Sequence, residues 1–336
     1  MSVHELKNLT PFAVGLGVCL DRDGRDVAVA VLKATWHVGT TGVLEVAPPD
    51  GQQPVRLADE HHGDPGATSV RYASDLVPTR SGTDVAVNGH AYGRGRPSVE
   101  VGFRVGALEK RILAHGPRVW LGGVGAGIAG PVGFDRVPVR YELAYGGAAE
   151  LSGQGPVPYP ENPVGVGYAS PLPDRSPLPH LEYPDSPFRN ERSRPRAAGL
   201  GFVPPGWAQR TAFAGTFDEA WKKSRRPLLP ADLDERFYNA VPQDQVLRPG
   251  LAGGERLVLW NLHPRADQLV LLLPRLEVRI TFQVRDREEA VAAVADSLLV
   301  EPDRERLAIA YRASLPLGDD VARLKRVIFR AKGVGA

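Results

Sequence analysis

Apolar and polar residues alternate with a period of two along most of the chain, which is the pattern of β-strands with one buried face. Residues 27–38 (VAVAVLKATWHV) follow the turn sequence DRDG, so we expect a β-hairpin with residues 12–20. Further strands are predicted in residues 83–93, 99–105, 134–147, 254–262 and 276–284. Many short strands with almost no helical period predict a mainly β protein, with antiparallel sheets in a β-sandwich or barrel-like arrangement.

The clearest helical pattern covers residues 217–223. Thr216 is placed to cap this helix, and Glu219 three positions later completes a capping-box pattern. A proline at position 227 ends the helix, and residues 232–238 predict one further turn.

Two later stretches carry weaker helical patterns. Residues 286–317 predict a strand or short helix and then a strand, and we place the short helix in residues 288–298. The C-terminal stretch 319–331 (DDVARLKRVIFRA) predicts a final helix that Asp319 or Asp320 would cap. Helix is therefore expected only in short pieces around a β-rich core.

The middle of the chain, residues 146–206, is rich in proline and glycine. Proline lacks a backbone donor and fixes φ, which argues against a helix or a central strand here. A disordered linker is one interpretation, but tyrosines and leucines recur throughout, so we expect an extended segment packed on the sheets. The chain is thus divided into a β-rich part (1–145), the irregular segment (146–206) and a β-rich part with short helices (207–336), as separate domains or one continuous domain.

Composition narrows the class of protein. The chain has 336 residues with 43% hydrophobic and 24% charged residues, which is typical of a globular protein, and its net charge of +2 gives no case for nucleic-acid binding. The single cysteine, Cys19, excludes an internal disulfide framework and a multi-cysteine zinc site. Because no signal peptide or membrane-spanning run is evident, we expect a soluble cytoplasmic protein.

The stretch ADEHHGDPG contains the residues closest to a metal site, His61, His62 and Asp64. Adjacent histidines on a strand point to opposite faces, so one ion could use both only if they lie in a loop. His37, His90 and His115 are scattered further candidates without the spacing of a zinc motif. We therefore predict that these residues are structural and that the protein uses no metal or other cofactor.

Other catalytic motifs are weaker. The stretch WLGGVGAGIAGPVG (120–133) contains a G-x-G-x-x-G register, but Pro131 follows it in place of a helix, which favours a loop between two strands. No G-x-S-x-G nucleophile motif occurs. With no catalytic residues above background, the residues alone favour a non-enzymatic binding protein.

Several strings in order resemble a known bacterial family. They include LKNLTPFAVG, ASDLVPTRSGTDVAVNGHAYG, FDRVPVRYELAYGG, ENPVGVGY, LPHLEYP, AGTFDEAWKKSRRPLLPADLDERFYNAVPQDQ and GGERLVLWNLHP. The chain resembles domain-of-unknown-function family 2169 (DUF2169), whose members are encoded beside type VI secretion spike proteins and toxic effectors. The resemblance runs from about residue 6 to residue 264.

This resemblance implies an adaptor or chaperone that binds an effector with a PAAR-like tip domain and helps to load it onto the VgrG spike protein. The family has no agreed catalytic residues, and none is transferred here. Two other classes stay open: a metal-dependent hydrolase or transferase using His61, His62 and Asp64, and a structural component of the secretion machine.

Overall fold

The computed structural model describes residues 5–39, 42–151, 155–169, 171–318 and 321–333. Twenty-six strands occur in these residues. The first thirteen are β1 (Glu5–Asn8), β2 (Ala13–Leu20), β3 (Asp26–Val38), β4 (Leu44–Val46), β5 (Glu60–His61), β6 (Val70–Tyr72), β7 (Thr83–Val87), β8 (His90–Tyr92), β9 (Ser98–Val105), β10 (Leu108–His115), β11 (Val119–Leu121), β12 (Gly127–Ala129) and β13 (Arg136–Pro138). The remainder are β14 (Tyr145–Gly146), β15 (Ala148–Leu151), β16 (Gly155–Pro158), β17 (Val166–Gly167), β18 (Leu181–Glu182), β19 (Val246–Leu247), β20 (Arg256–Trp260), β21 (Gln268–Leu272), β22 (Glu277–Val284), β23 (Arg287–Ala292), β24 (Val294–Glu301), β25 (Arg306–Gly318) and β26 (Leu324–Lys332).

Helix is scarce in the described residues. The α-helices are α1 (Ala208–Thr211) and α2 (Glu219–Ser224), and single 3-10 turns occupy Pro49–Gly51, Tyr141–Leu143, Glu235–Tyr238, Gln243–Gln245, Pro302–Arg304 and Val321–Arg323. None of the described helices is long and apolar enough to cross a bilayer. The expectation of a mainly β protein with a few short helices is confirmed.

Three large sheets organise the fold. The seven-stranded sheet has the order β19-β7-β24-β25-β3-β2, with β4 also paired to β3. The five-stranded sheet has the order β18-β10-β9-β20-β21, and the four-stranded sheet has the order β1-β26-β22-β23. Most neighbouring strands are antiparallel, as predicted, while β1 with β26 and β7 with β24 are parallel pairs.

The hairpin predicted at the start of the chain is confirmed. β2 and β3 pair antiparallel from Ala13↔Lys33 to Leu20↔Asp26, around the predicted turn. Gly24 in that turn has φ +79°, a conformation that glycine adopts without strain.

The helix expected in residues 288–298 is absent, because these residues form β23 and β24. β24 is a central strand between β7 and β25, and Leu298 and Val300 fill the core from its inner face. Pairing on both sides and burial of β-branched residues override the local helical pattern.

The C-terminal helix was also predicted wrongly. Residues 324–332 form β26, which pairs with β22 on one side and β1 on the other, and Val327 and Phe329 alternate into the core. Alternation with period two therefore decided the structure. Asp319 and Asp320, the expected caps, lie outside the described residues.

The helix expected in residues 217–223 is confirmed as α2, although Thr216 is not its cap. Asp218 holds the cap position, and its carboxylate accepts a hydrogen bond of 2.8 Å from the Trp221 amide. Thr216 instead donates its hydroxyl to Asp232, at 2.7 Å.

One cluster of buried apolar residues takes side chains from the inner faces of all three large sheets. Its largest members include Leu32, Phe103, Ile112, Tyr141, Phe282 and Phe329. Tyr141 was expected on a strand, but it begins a 3-10 turn and stacks edge-on against Trp207, with ring centres 5.5 Å apart.

The proline-rich segment packs on the sheets. Leu181 is fully buried and lies in β18, which extends the five-stranded sheet beside β10. A separate apolar cluster joins Leu172, Leu178 and Phe188 of this segment to Trp120 and Tyr145. The boundaries of the three parts of the chain stay predictions.

Candidate functional site

The predicted histidine and aspartate stretch connects β5 to β6 in a compact turn. His61 Nδ1 lies 2.8 Å from the carbonyl oxygen of Thr68. The Asp64 carboxylate accepts a hydrogen bond of 2.9 Å from the Gly66 amide, and the Asp64 carbonyl accepts one of 2.8 Å from the Thr68 hydroxyl. Aspartate commonly fixes turns through such local bonds, so the side chains of His61 and Asp64 already have structural partners.

His62 is half-buried, and its backbone amide donates a hydrogen bond of 3.1 Å to the Ser69 carbonyl. Burial lowers the pKa of its imidazole to about 4, against the opposing effect of the nearby Glu142 carboxylate. Glu142 in turn accepts hydrogen bonds from the amide and hydroxyl of Ser69, at 3.0 and 2.8 Å. His62 is therefore neutral at pH 7, which is the protonation state that a metal ligand needs.

The other candidate histidines lie elsewhere in the fold. His37 is on β3 opposite Arg306, His90 Nδ1 is 2.6 Å from Asp303, and His115 ends β10. Within the part of the chain that the structure describes, no group of three or more histidine, cysteine, aspartate or glutamate side chains is arranged to hold a metal. Zinc needs three or four converging ligands, and His61, His62 and Asp64 do not form such a group among the described residues.

A serine, a histidine and a glutamate meet where β9, β10 and β18 are adjacent. Ser98 Oγ is 2.7 Å from His115 Nδ1, and His115 Nε2 is 3.3 Å from Glu182. Burial opposes ionisation of Glu182, but the nearby His115 ring, the Arg118 guanidinium and a hydrogen bond from the Phe188 amide outweigh it and hold the pKa of Glu182 below its usual value.

This arrangement differs from a nucleophilic triad. In a serine hydrolase Nε2 faces the serine and Nδ1 faces the carboxylate, whereas here the two ring nitrogens are exchanged. Glu182 also binds the Arg118 guanidinium and accepts a hydrogen bond of 2.9 Å from the Phe188 amide. The three residues thus tie the irregular segment to the β9–β10 hairpin.

The outer face of the seven-stranded sheet carries a buried set of charges that was not predicted from the sequence. Lys33 Nζ is 2.6 Å from Asp75 Oδ2, and both side chains are less than a tenth exposed. Arg312 of β25 pairs with Asp296 of β24 in the same layer. Because an unpaired buried charge is very unfavourable, each of these pairs depends on both partners.

Arg80 and Asp84 extend the same layer of charges. The Arg80 side chain is 1% exposed, and its Nε lies 3.3 Å from Asp84 and its Nη1 4.0 Å from Asp296. Burial raises the pKa of the Asp84 carboxyl, which also accepts hydrogen bonds of 2.7 Å from Asn239 and from the Ala240 amide. The charges thereby hold residues distant in sequence against one face of the sheet.

The principal cleft lies beside the crossing from β23 to β24, where the chain passes from the four-stranded to the seven-stranded sheet. Its volume is about 950 Å³, in the range of ligand-binding clefts. The walls come from residues 80–83, 249–253, 273–279 and 292–296, together with parts of β25 and β26.

Three exposed cationic side chains, Arg279, Arg330 and Lys332, line this cleft. Arg279 of β22 is directly opposite Arg330 of β26, and Lys332 is opposite Glu277 two pairs further along. All four side chains are exposed and line the cleft. Among the described residues, neither Arg279 nor Arg330 has an ion pair or a side-chain hydrogen bond.

The glycine-rich stretch and Cys19 have structural positions. The stretch forms the turn of the β11–β12 hairpin, with Leu121 opposite Gly127, so the expected loop between two strands is confirmed. Cys19 lies on β2 next to Leu76, and burial raises the pKa of its thiol, which keeps it protonated and unreactive.

Neither the cleft nor the buried ion pairs were predicted from the sequence. Lys33 and Arg312 did leave a signal, because each is a lone charge inside an apolar strand-forming run, VAVLKAT and AIAYRAS. Arg279 and Arg330 left none, since each reads as an ordinary polar position of an alternating strand and only the register brings them together.

Comparison with known proteins identifies the family. The family model described as "Uncharacterized protein conserved in bacteria (DUF2169)" matches residues 23–312. This match covers most of the 336 residues, and the chain therefore belongs to that family. No curated protein and no solved structure matches the chain.

Proposed function

We propose that this member of the DUF2169 family is a non-enzymatic adaptor that binds a type VI secretion effector and helps to load it onto the VgrG spike. The cargo would be an effector with a PAAR-like tip domain. The support from sequence is the ordered set of strings that resembles the secretion-linked family, and the family match over residues 23–312 agrees with that resemblance.

The carrying observation in the structure is a pair of neighbouring edge strands. β1 ends the four-stranded sheet and β2 ends the seven-stranded sheet, and among the described residues each pairs on one side only. Leu6 on β1 is 41% exposed, and Val18 and Leu20 on β2 are 41% and 58% exposed. Free backbone groups beside exposed apolar side chains favour the addition of a partner strand.

An adaptor must hold its cargo firmly and release it during spike assembly. A stable complex of this kind buries at least about 1,200 Å² of total surface. One added strand supplies part of that area, and the turn regions next to β2 supply more. The hairpin turn between β2 and β3 already binds the segment that follows α2, because Asp23 forms an ion pair of 2.7 Å with Arg225.

The chemistry of the side chains also favours binding over catalysis. His61 and Asp64 are engaged in their own turn, and Ser98, His115 and Glu182 form a bonded structural tie. The alternative, a metal-dependent hydrolase or transferase at His61, His62 and Asp64, has only the neutral imidazole of His62 in its favour.

The adaptor role is tested by co-expressing the tagged full chain with the neighbouring effector and the VgrG protein. We expect both to co-purify, the effector in a stoichiometric complex. Val18→Lys/Leu20→Lys should weaken capture of the effector, because two charges replace apolar groups along the free edge. Val124→Lys, at a fully exposed position between β11 and β12, is the matched control and should retain the effector.

Two outcomes would overturn the proposal. Failure of the wild-type chain to retain either protein would remove the adaptor role. A self-assembled ring or tube of this chain, in place of a complex with the effector, would favour the structural-component class. Equal capture by the edge variant and the control would move the contact away from β2.

A further inference from the structure

The cleft beside the β23–β24 crossing combines unpaired cations with an apolar floor. Arg279 and Arg330 are directly opposite on antiparallel strands, where like charges destabilise a sheet. Neither has an ion pair among the described residues, and exposed Lys332 lies in the same cleft. Two adjacent cations destabilise the sheet, and their position in a concave site indicates that an anionic ligand binds there.

The acidic residues of the cleft do not supply the missing partner. Asp296 is buried and bound to Arg312. Glu255 accepts backbone hydrogen bonds from Ala252 and Gly253, at 2.6 and 2.9 Å, so its charge is directed to that turn. Glu277 lies opposite Lys332 without a direct ion pair, so its single negative charge offsets only one of the three cations of the cleft.

Arg80, Ser81 and Thr83 are further polar residues of the lining, and most of the rest is apolar. Val278, Ile309 and Tyr311 contribute buried surface, and Val294 on the rim is 64% exposed. A volume of about 950 Å³ exceeds what a single side chain or a small inorganic anion fills. The shape and the charges together fit a short chain of residues that alternates carboxylate and apolar side chains.

We propose that this cleft binds an extended acidic segment of the cargo protein, with carboxylates paired to Arg279 and Arg330. This inference rests on the proposed adaptor function and names a second contact besides the β2 edge. Arginine pairs with carboxylate through two parallel hydrogen bonds, and two arginines side by side accept two such groups. Association through them is fast, reversible and sensitive to salt, which suits a cargo that must later be released.

An acidic protein segment fits this cleft better than a nucleic acid. The whole chain has a net charge of only +2, without the broad basic surface that phosphate backbones require. The two arginines without ion pairs suit two spaced carboxylates, whereas a nucleic-acid backbone presents a continuous run of phosphates.

The test uses the purified full chain and a fluorescein-labelled peptide of alternating glutamate and leucine, followed by fluorescence anisotropy. The acidic peptide should bind, and binding should weaken as salt increases. A peptide of alternating lysine and leucine should not bind. Arg279→Glu/Arg330→Glu should lower affinity for the acidic peptide by about tenfold or more.

The matched control is Arg175→Glu/Arg192→Glu, which makes the same charge change at two exposed arginines away from the cleft. Its affinity should equal that of the wild type, and circular dichroism should show all variants folded. Absence of binding to the wild type, or an equal loss in both double variants, would overturn the proposal. Displacement of the peptide by single-stranded DNA at matched charge would make the ligand a general polyanion and also overturn it.

Failure here is distinguishable from failure of the adaptor role. If the effector co-purifies equally with Arg279→Glu/Arg330→Glu and with the wild type, the cleft is not the contact while the adaptor role stands. If the wild type retains no effector yet binds the acidic peptide through these arginines, the adaptor role falls and the binding site stands.

Discussion

The two faces of the seven-stranded sheet are both buried, but the outer face adds buried ion pairs to its apolar packing. Along β3, Ala30 and Leu32 point into the common core of apolar side chains. Lys33, the next residue, points to the other face, where it meets Asp75 at 2.6 Å. The outer side of β3 also holds an apolar cluster of Val27, Val29 and Val31, so apolar packing buries both sides of the strand and ion pairing is added on the outer side.

This difference has a physical consequence. Apolar contacts are non-directional, so the inner face accepts any side chains of suitable volume. Paired charges in a buried layer are satisfied only by one partner in one geometry. The outer face thereby selects which loop covers the sheet: Asp75 brings in residues 70–80, and Asp84 holds the segment at Asn239.

The largest expected effect comes from breaking one of these pairs. Lys33→Met should lower the free energy of unfolding by about 3–5 kcal/mol, because Asp75 is left as an uncompensated buried charge. Urea denaturation at pH 7 measures the loss.

The double variant Lys33→Met/Asp75→Asn sharpens this result. A neutral asparagine can still accept the hydrogen bond that Asp75 receives from the Arg56 amide at 2.7 Å. It should therefore recover most of the lost stability. A double variant as unstable as Lys33→Met alone would show that packing of Lys33, and not the charge left on Asp75, decides the loss.

The adjacent position should respond weakly to a comparable change. Leu32 is fully buried in the common core. Leu32→Met keeps the volume and the apolar character, so it should cost less than about 1.5 kcal/mol under the same denaturation conditions. A loss as large as that of Lys33→Met would contradict the contrast between the two faces.

The same contrast explains how far the sequence could predict the fold. Strands β2 and β3 were predictable because their alternation and their turn are local, and α2 because its cap and its stop are local. β24 was not, since its identity depends on pairing with β7, more than two hundred residues earlier in the chain. The sequence of residues 294–301 alone was compatible with a strand or a short helix, and the pairing with β7 decides for the strand.

The candidate site was harder to predict than the fold. Lone charges at Lys33 and Arg312 could have signalled buried pairs, but their partners depend on topology. The cationic cleft depends on the register Arg279↔Arg330, which one slipped residue would abolish. The composition of the histidine and aspartate stretch is similar to that of a metal site, although the contacts of His61 and Asp64 are local turn bonds.

His62 is buried in a third way, as a half-buried polar ring without an ion pair, and its expected effect on stability is smaller. Its folded pKa is about 4, below the ordinary value of 6.5. Between these values the unfolded chain binds a proton that the folded chain does not, so stability should rise with pH from about 4 to 6.5 and be fully present above it. Because the ring is partly exposed to solvent, the contribution should be only about 1 kcal/mol.

Replacing this ring isolates its contribution from that of the carboxylates. His62→Gln cannot titrate, so the rise of its unfolding free energy between pH 4 and 6.5 should be smaller than that of the wild type by about 1 kcal/mol. Urea denaturation at several pH values measures the difference, and His37→Gln, at an exposed position of β3, is the matched control. A pH profile for His62→Gln identical to the wild type would mean that the imidazole is as well solvated in the folded chain as in the unfolded one. The turn between β5 and β6 would then bury no ionisable group at a measurable cost in stability.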